Sequence, residues 1–528
     1  MPSSPPAPLA GIRIADFTRV LTGPFATQTL GDFGADIVKI EPPSGDDTRA
    51  WSPPYAHGSS EATYFQSANR NKRSITLDLK TESGLETARK IIARSDVLIE
   101  NFRPGTLGKL GLAPTDLMAR DSRLIVCSIT GFGSSGPLKS WAGYDVIAQG
   151  MSGFMAYTGD PAGDPTKAGV AVADIFAGAL ATQAILAALF EREKTGHGRR
   201  LEVNLLEAML ALGTYQVQRF LGANEDAERL GNEHRSIVPY GTYKTRDGFL
   251  NIAGGNDSLY QKLVAALKVE DLLEPRFATN PLRVEHRADL IPKLEAHLAR
   301  FTTDQAVELL QAAGVPCGPV WSVAQAMNSA FVQARGVTLF LEHPSLGNVQ
   351  LLTPPFEFDG QRLEVRFAPP TLGEHTQEIL EEVSTERKRI YLAIKYHADQ
   401  SNRSQIETIS SIFEAQGFST LSVVRDLEHW GDIRLEPDDL MRQSFEFIRM
   451  SEFLLLEFSE KAVGLGIEAG FAHAIGKRIV VIAKTGSEIS NTLAGISSEI
   501  HFYDSKTDLE RIAAKLVAAS TRQKTIRP

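Results

Sequence analysis

Apolar positions in the first 133 residues alternate between two spacings, one typical of buried strands and one typical of helices. Apolar runs predict strands within residues 11–20, 35–41, 71–80, 96–102 and 124–133, and three- to four-residue spacing predicts helices over residues 23–34 and 82–95. Repeated strand–helix units predict an α/β fold with a Rossmann-like, doubly wound parallel sheet. The first strand is not followed by GxGxxG, which argues against a dinucleotide site there.

In the stretch 165–198, Asp174 is the only acidic residue before Glu191, and it lies among small and apolar residues. Val170, Val172 and Ile175 predict a short buried strand, and residues 177–193 have the apolar spacing of a buried helix. Asp174 is therefore expected where a strand is followed by a helix. Such a position suits a catalytic group in an α/β protein and equally suits a helix N-cap, so both roles stay open.

The pattern divides the chain into three predicted domains. A large domain covers residues 8–225 and is completed by residues 346–385. A smaller α+β domain covers residues 226–345, and a hairpin is predicted within it because Asp247-Gly248 separates two apolar segments. After a charged linker at residues 384–388 the strand–helix pattern restarts, which predicts a separate three-layer α/β domain over residues 388–528.

Composition narrows the function classes. The chain has 528 residues and a formal net charge of -9, so it lacks the basic surface expected of a nucleic-acid-binding protein. Its two cysteines fit a reducing compartment, and neither a signal peptide nor an apolar run of membrane-spanning length is apparent. The eleven histidines show no metal-ligand spacing. These features predict a cytoplasmic protein without nucleic-acid, membrane or metal partners.

Several polar residues of the first domain suit a phosphorylated ligand. Lys80, Asn101, Arg103 and Lys109 are hydrogen-bond donors beside predicted strands, although each is equally typical of a solvated surface. A lone carboxylate such as Asp174 can attack a thioester and divide one acyl transfer into easier steps. No Ser-His-Asp or Cys-His order competes with it.

An ordered series of motifs resembles the class III CoA-transferases over residues 8–383. The motifs lie at residues 14–41, 69–80, 100–111, 143–155, 314–320 and 368–376. The resemblance implies that Asp174 is a nucleophile that forms an acyl-aspartyl anhydride and then an aspartyl-CoA thioester. It also implies acyl-CoA and a carboxylic acid as substrates, no tightly bound cofactor and an interlocked homodimer. The CoA contacts that it implies are Val20, Leu77, Lys80, Asn101, Phe102 and Lys109.

Departures from the family pattern bear on the substrate. Leu21, Pro42 and Lys109 replace polar or basic residues of formyl-CoA transferase, which argues against oxalate or formate. The same fold includes an acyl-CoA racemase with a His-Asp pair where this chain has Tyr144 and Asp145. Since the reference pKa of tyrosine is about 10, the pair argues against racemisation, which stays an alternative. The region around Asp174 looks most like the succinyl-CoA:dicarboxylate members.

The last domain resembles the nucleoside 2-deoxyribosyltransferases over residues 388–517, with matching segments at residues 389–393, 451–459 and 464–477. The resemblance implies that Glu468 attacks a sugar carbon. Gly464 and Gly466 predict a glycine turn that puts Glu468 at a helix start, where backbone amides favour an anionic ligand. Because Ser444 and Ala462 depart from that family, catalysis on a nucleoside, nucleotide sensing that regulates the transferase, and a degenerate interaction module all stay open.

Overall fold

A computed structural model describes residues 7–522 apart from residues 57, 58, 60, 385–387, 398 and 432–434. The chain forms two compact units that divide between Ile379 and Leu380. Most of the predicted charged linker, residues 385–387, lies outside the described residues.

The first unit is built around a six-stranded parallel sheet with the strand order β3-β2-β1-β4-β5-β6. Its strands are β1 (Arg13–Asp16), β2 (Asp36–Glu41), β3 (Lys72–Thr76), β4 (Val97–Glu100), β5 (Ile125–Thr130) and β6 (Arg200–Asn204). The predicted α/β fold with a parallel sheet is confirmed. The order reverses between β1 and β4, and such a switch point leaves a crevice at the carboxyl ends of the strands.

Helices alternate with the strands of this sheet along the chain and follow its last strand. They are α1 (Thr22–Asp32), α2 (Thr63–Gln66), α3 (Glu82–Ile92), α4 (Thr106–Lys109), α5 (Pro114–Arg120), α6 (Asp145–Met151), α7 (Phe154–Tyr157), α8 (Val172–Thr195), α9 (Leu205–Leu212) and α10 (Thr214–Ala223). The core beneath α1 and α8 buries Ala26, Leu30, Ala181 and Ile185 against Ile14 of the sheet. Small residues at this contact let the two helices approach closely.

The rest of the first unit contains smaller antiparallel sheets. Its elements are β7 (Tyr240–Lys244), β8 (Phe249–Ala253), α11 (Asp257–Leu267), α12 (Asn280–Glu285), α13 (Arg287–Leu298), α14 (Thr303–Ala312), β9 (Cys317–Pro319), α15 (Val323–Met327), α16 (Ala330–Arg335), β10 (Thr338–His343), β11 (Gly347–Leu352), β12 (Glu357–Phe358), β13 (Gln361–Arg362) and α17 (Thr376–Ser384), whose end enters the second unit. The hairpin predicted at Asp247-Gly248 is confirmed by the antiparallel pairing of β7 and β8. A separate apolar core lies beneath this hairpin.

The second unit has a five-stranded parallel sheet with the order β15-β14-β16-β17-β18. Its elements are β14 (Lys388–Ile394), α18 (Arg403–Ala415), β15 (Phe418–Leu421), α19 (Val423–Asp426), α20 (Pro437–Met450), β16 (Phe453–Glu457), α21 (Val463–Ala474), β17 (Arg478–Lys484), α22 (Asn491–Ile496), β18 (Glu499–Tyr503) and α23 (Lys506–Arg522). Apolar clusters lie on both faces of the sheet. Its strand order also has a switch point, between β14 and β16.

The sequence around Asp174 folds differently from the prediction. The predicted strand at Val170, Val172 and Ile175 is wrong, because Val170 is 61% exposed and α8 already begins at Val172. Val172 and Ile175 belong to the first turn of this helix, and both are partly exposed. The helix is also long and apolar enough to span a membrane by length and composition, so the prediction that no run reaches that length was wrong. Half of its apolar window is buried inside the protein.

Candidate active site

A cavity of about 190 Å³ lies at the carboxyl ends of β1, β4, β5 and β6, where the strand order reverses. Loops that follow these strands and the first turn of α8 supply its walls. The polar residues among its lining are Arg19, Thr22, Asp47, Asn101, Arg103, Thr130, Trp141, Tyr144 and Asp174. The cavity therefore combines a carboxylate with several hydrogen-bond donors at the usual ligand position of a doubly wound sheet.

Asp174 is the third residue of α8 and is buried against α1. The helices approach closely at Gly178, one turn later, where a Cβ atom would lie 2.5 Å from the Thr22 carbonyl oxygen. This approach lets the Thr22 hydroxyl donate a hydrogen bond to Asp174 Oδ1. In the described part of the chain, Asp174 Oδ2 has no hydrogen-bond partner, so one carboxylate oxygen remains available for chemistry.

The surroundings of Asp174 disfavour its charged form. Burial raises the pKa of Asp174 to about 6, the bond from Thr22 opposes the rise, and the nearby Asp145 carboxylate adds to it. Tyr64 lies close enough to interact electrostatically with Asp174. Burial is the main cause that raises the pKa of its phenol, and the Asp174 charge raises that pKa further. At neutral pH Asp174 is thus an anion with little stabilisation, as suits a nucleophile.

Asp145 caps the helix that carries Asp174. Its Oδ1 accepts from the Ala173 amide at 2.8 Å, and its Oδ2 accepts from Gln149 Nε2 at 2.7 Å. The residue at the N-cap position of α8 is Ala171, and Asp174 makes no capping bond. The N-cap hypothesis for Asp174 is therefore wrong, because a carboxylate from α6 satisfies the amide instead.

The loop after β1 is held in a strained conformation at the cavity edge. Val20 has φ = 70°, a left-handed value that a β-branched residue rarely adopts. The Val20 amide donates to Asp46 Oδ1 at 3.2 Å. The Asn101 side chain accepts from the Arg19 amide at 2.9 Å and donates to the Arg19 carbonyl at 2.7 Å. These contacts fix the backbone conformation that brings Val20 to the cavity.

A fully buried set of charges supports the same loop from below. Lys39 Nζ donates to Asp46 Oδ2 and to the Thr18 carbonyl, both at 2.9 Å, and Lys72 Nζ lies 3.4 Å from Asp16 Oδ2. Burial lowers the pKa of Lys72 to about 7 despite the Asp16 carboxylate. Burial also opposes the charge of Lys39, yet the carboxylates of Asp46 and Asp16 raise its pKa. Replacing one partner of such a buried pair by a neutral residue would leave the other charge buried and unpaired.

The structure brings half of the predicted CoA contacts together. Val20, Asn101 and Phe102 line the cavity. The other three do not line it: Leu77 is buried elsewhere, and Lys80 and Lys109 are exposed. As contacts of CoA, all six stay predictions. Thr22 is not predicted from the sequence, because no neighbouring residue indicates its contact with Asp174, which lies 152 positions later.

Glu468 lies within a helix of the second unit rather than at its start. Ala462 is the N-cap of α21, and Gly464 and Gly466 are helical, so the predicted glycine turn is wrong. Glu468 is the sixth helical residue, beyond the free amides of the first turn, which removes the anion-binding argument made from sequence.

The Glu468 carboxylate instead meets two hydroxyl groups. Tyr391 Oη donates to Glu468 Oε1 at 2.5 Å, and Ser444 is a second hydrogen-bond donor. Burial raises the pKa of Glu468 to about 7, and the bonds from Tyr391 and Ser444 oppose the rise. Among the described residues, no group of His, Cys, Asp or Glu side chains could hold a metal ion.

Comparison with known proteins identifies relatives of the first unit. The sequence profile of CoA-transferase family III matches residues 9–376. The chain is 40% identical over 378 residues to succinyl-CoA:glutarate CoA-transferase of Mus musculus, covering 71% of this chain and 86% of that one. It is 40% identical over 391 residues to succinate–glutarate CoA-transferase of Agrobacterium fabrum, covering 73% of this chain and 98% of that one.

A solved structure gives the same result. The crystal structure of a CAIB/BAIF family protein from Brucella suis superposes with a TM-score of 0.66 at 40% sequence identity. The match covers 72% of this chain and 100% of that chain.

Proposed function

The chain belongs to CoA-transferase family III, and from that premise we propose that it moves CoA from succinyl-CoA to a dicarboxylic acid with Asp174 as nucleophile. The predictions of the family and of CoA-transferase activity are confirmed, with acyl-CoA and a carboxylic acid as the substrates. The observation that carries the proposal is the buried Asp174 carboxylate, which has one free oxygen and lies beside the cavity at the switch point.

The proposed reaction uses covalent catalysis. Asp174 Oδ2 bonds to the thioester carbon, the C–S bond breaks, and CoA leaves as a thiolate from a mixed anhydride. The thiolate then attacks Asp174 Cγ, releases the first acid and leaves an aspartyl-CoA thioester. The incoming carboxylate attacks Cγ in turn and expels CoA, which takes up the new acyl group and frees Asp174. No net proton transfer is required, so the proposed cycle needs no general base.

The cavity lining supports a substrate with a second carboxylate. Arg19 and Arg103 both line the cavity that contains Asp174, and arginine is well suited to bind a carboxylate with two parallel hydrogen bonds. Two relatives with 40% identity are named for succinyl and glutarate groups, which are both dicarboxylic. We therefore expect glutarate and acids of similar length as acceptors.

The racemase alternative has less support. A racemase must remove a proton from the acyl α-carbon, and the matching pair here is Tyr144 and Asp145. Each of the two Asp145 oxygens already accepts a hydrogen bond, one from Ala173 and one from Gln149, so neither oxygen is held ready as a base. Exchange of the α-proton for deuterium without a second carboxylate would favour the racemase.

The test is a matrix of acyl-CoA donors against dicarboxylates. We expect succinyl-CoA to exceed acetyl-CoA as donor, and Asp174→Ala to abolish CoA exchange while the fold is retained. Asp164→Ala is the matched control, since Asp164 is an exposed aspartate of the preceding segment. Substantial exchange by Asp174→Ala would refute the nucleophile assignment.

We also propose the interlocked homodimer that the family resemblance implies. Large apolar side chains of α8 and α10 are more than half exposed, namely Phe190, Tyr215, Phe220 and Leu221. A surface of this kind is typical of a protein interface. Sedimentation at several concentrations should give twice the mass of the chain, and a monomer throughout would refute the dimer.

A cytoplasmic location is proposed from the cysteines. Cys127 and Cys317 are both free. Free thiols fit a reducing compartment, as expected for an enzyme that uses acyl-CoA. Fractionation of cells that express the native chain would test the location.

For the second unit we propose a site that binds or cleaves a nucleoside or nucleotide at Glu468. The supporting observation is the carboxylate held by Tyr391 and Ser444, with a pKa near 7 raised by burial. Such a carboxylate can bond to the sugar C1′ as the base departs with the bonding pair, and water or a second base then completes transfer. A perturbed carboxylate of this type marks a functional candidate.

Chromatography of free bases, released from nucleosides and 5′-monophosphates by the full chain, tests this site. Release that Glu468→Gln abolishes supports cleavage, whereas calorimetric binding without release supports sensing. Asp174→Ala should leave the binding of nucleosides and the release of free bases unchanged. The absence of binding and of release across the panel would contradict the proposal.

A further inference from the structure

Thr22 makes an unusual contact for a threonine in the first turn of a helix. Its hydroxyl, buried on α1, donates to Asp174 Oδ1 on α8. By contrast, Thr29 of the same helix donates back to the Phe25 carbonyl at 2.9 Å, as threonines inside helices commonly do. Because a hydroxyl has one hydrogen, Thr22 commits its only side-chain donor to the carboxylate.

This contact makes the two oxygens of Asp174 unequal. Oδ1 is held by Thr22, whereas Oδ2 has no partner among the described residues and is the oxygen free to attack. Once Oδ2 has bonded to an acyl carbon, Oδ1 is the carbonyl oxygen of the anhydride. After CoA replaces the acid, Oδ1 is still the carbonyl oxygen of the aspartyl thioester. The Thr22 hydroxyl therefore faces the same oxygen, Oδ1, throughout the cycle.

We propose that the Thr22 hydroxyl is a catalytic oxyanion donor for the two steps in which a nucleophile attacks Asp174 Cγ. This inference rests on the proposed role of Asp174. In the first step the CoA thiolate attacks Cγ, the C=O electron pair moves onto Oδ1, and its return expels the first carboxylate. In the second, the acceptor carboxylate attacks Cγ, and the pair returns from Oδ1 as the thiolate leaves. Both steps place negative charge on the oxygen that Thr22 already contacts.

No other described residue donates a hydrogen bond to Oδ1, so the effect of Thr22 is not duplicated. The charged and titratable groups around Asp174 are Asp145 on α6 and Tyr64 on α2, with Arg19, Asp47, Arg103 and Tyr144 on the cavity wall. Asp145 would oppose charge on Oδ1. A donor at this atom is therefore most useful in the two Cγ steps.

Thr182 provides a matched control at the same helix contact. It is as buried as Thr22, each being 5% exposed. Its hydroxyl contacts the Gly178 carbonyl at 3.0 Å and the Ala26 carbonyl at 3.4 Å instead of a carboxylate. Replacement of either threonine by valine removes one hydroxyl from the interface of α1 and α8, and only one of the two replacements removes the donor to Asp174.

The test compares Thr22→Val, Thr22→Ala, Thr22→Ser and Thr182→Val in the full chain. We expect Thr22→Val and Thr22→Ala to lower kcat by about 100-fold, the usual loss for one oxyanion donor. Thr22→Ser should restore most of the rate, and Thr182→Val should match the parent. The acidic limb of the rate profile should also move to higher pH in Thr22→Val, since the lost bond favours the Asp174 anion.

Rapid quenching adds a readout that a structural defect would not produce. With succinyl-labelled succinyl-CoA, Thr22→Val should retain more label on the protein than the parent, because the anhydride forms but the attack of CoA on Cγ is slow. A parental kcat and label distribution in folded Thr22→Val or Thr22→Ala would overturn the inference. If that result accompanies an inactive Asp174→Ala variant, only the role of Thr22 fails; an active Asp174→Ala variant refutes the proposed function itself.

Discussion

The backbone amide of Ala173 donates a 2.8 Å hydrogen bond to Asp145 Oδ1, so the cap of α8 comes from a different helix. The arrangement leaves the carboxylate of Asp174 without a capping role, although it lies in the first turn. The helix start still favours its negative charge, while burial and the Asp145 carboxylate oppose that charge. Asp145 thus supports the helix and at the same time makes the Asp174 anion less stable.

Replacement of Asp145 should separate these two effects. In Asp145→Asn the cap acceptor is retained but the negative charge is lost, so the pKa of Asp174 should fall. We expect the acidic limb of kcat/KM to move to lower pH. Asp164→Asn, an exposed site, should leave the limb in place. A limb that moves to higher pH in Asp145→Asn would contradict the electrostatic account.

The parent enzyme should lose activity as the pH falls through about 6, the pKa of Asp174. Only the ionised carboxylate is a nucleophile, and its protonated fraction grows below that pH. The measurement is kcat/KM against pH with succinyl-CoA and glutarate, extended to pH 5. A profile that stays flat down to pH 5 would be inconsistent with a rate that depends on Asp174 ionisation.

The same perturbation should appear as a cost in stability. The folded pKa of Asp174, about 6, lies above the reference value of 3.8, so the ionised form destabilises the fold fully above pH 6 and not at all below pH 3.8. Two pKa units correspond to about 3 kcal/mol. Asp174→Asn keeps an acceptor for Thr22 and should raise the melting temperature at pH 8, with a smaller gain at pH 5. A gain in melting temperature that grows as the pH falls towards 5 would contradict the expected sign of this stability effect.

Gly178 should tolerate no side chain, because a Cβ atom would lie 2.5 Å from the Thr22 carbonyl oxygen. We expect Gly178→Ala to force α1 and α8 apart, to destabilise the fold by about 1–3 kcal/mol and to lower kcat. Gly108→Ala on α4 is the control, since a Cβ atom there meets nothing within 4 Å. Thermal unfolding and exchange rates check both variants, and a Gly178→Ala variant that matches Gly108→Ala would contradict the packing argument.

The local pattern of apolar and turn residues was sufficient to predict the parallel sheet of the first unit and the hairpin at Asp247-Gly248. Strand-forming runs and turn residues determine structure over only a few positions, so they can be recognised in the amino-acid sequence. The strand predicted before Asp174 was wrong because a short apolar run fits a strand and a partly exposed helix equally well. The glycines before Glu468 misled for a similar reason, since packing in α21 overrides their preference for turns.

The site itself depended on contacts between distant residues. Asp174 could be singled out as a lone carboxylate within an apolar stretch, and the family motifs assigned it a role. The bond from Thr22 to Asp174 and the bond from Ala173 to Asp145 could not be foreseen from sequence, because they cross 152 and 28 positions and arise from helix packing. The family motif alone indicates Val20, and its left-handed backbone is evident only in the structure.

The central claim is that Asp174 carries the acyl group and then CoA. The most direct measurement is to mix the enzyme with succinyl-CoA alone, add hydroxylamine, and locate the product by peptide mass spectrometry. We predict a hydroxamate on the peptide that contains Asp174, formed from its activated carbonyl, and none in Asp174→Asn. An unmodified Asp174 peptide from an enzyme that exchanges CoA, or a hydroxamate on another residue, would contradict the account.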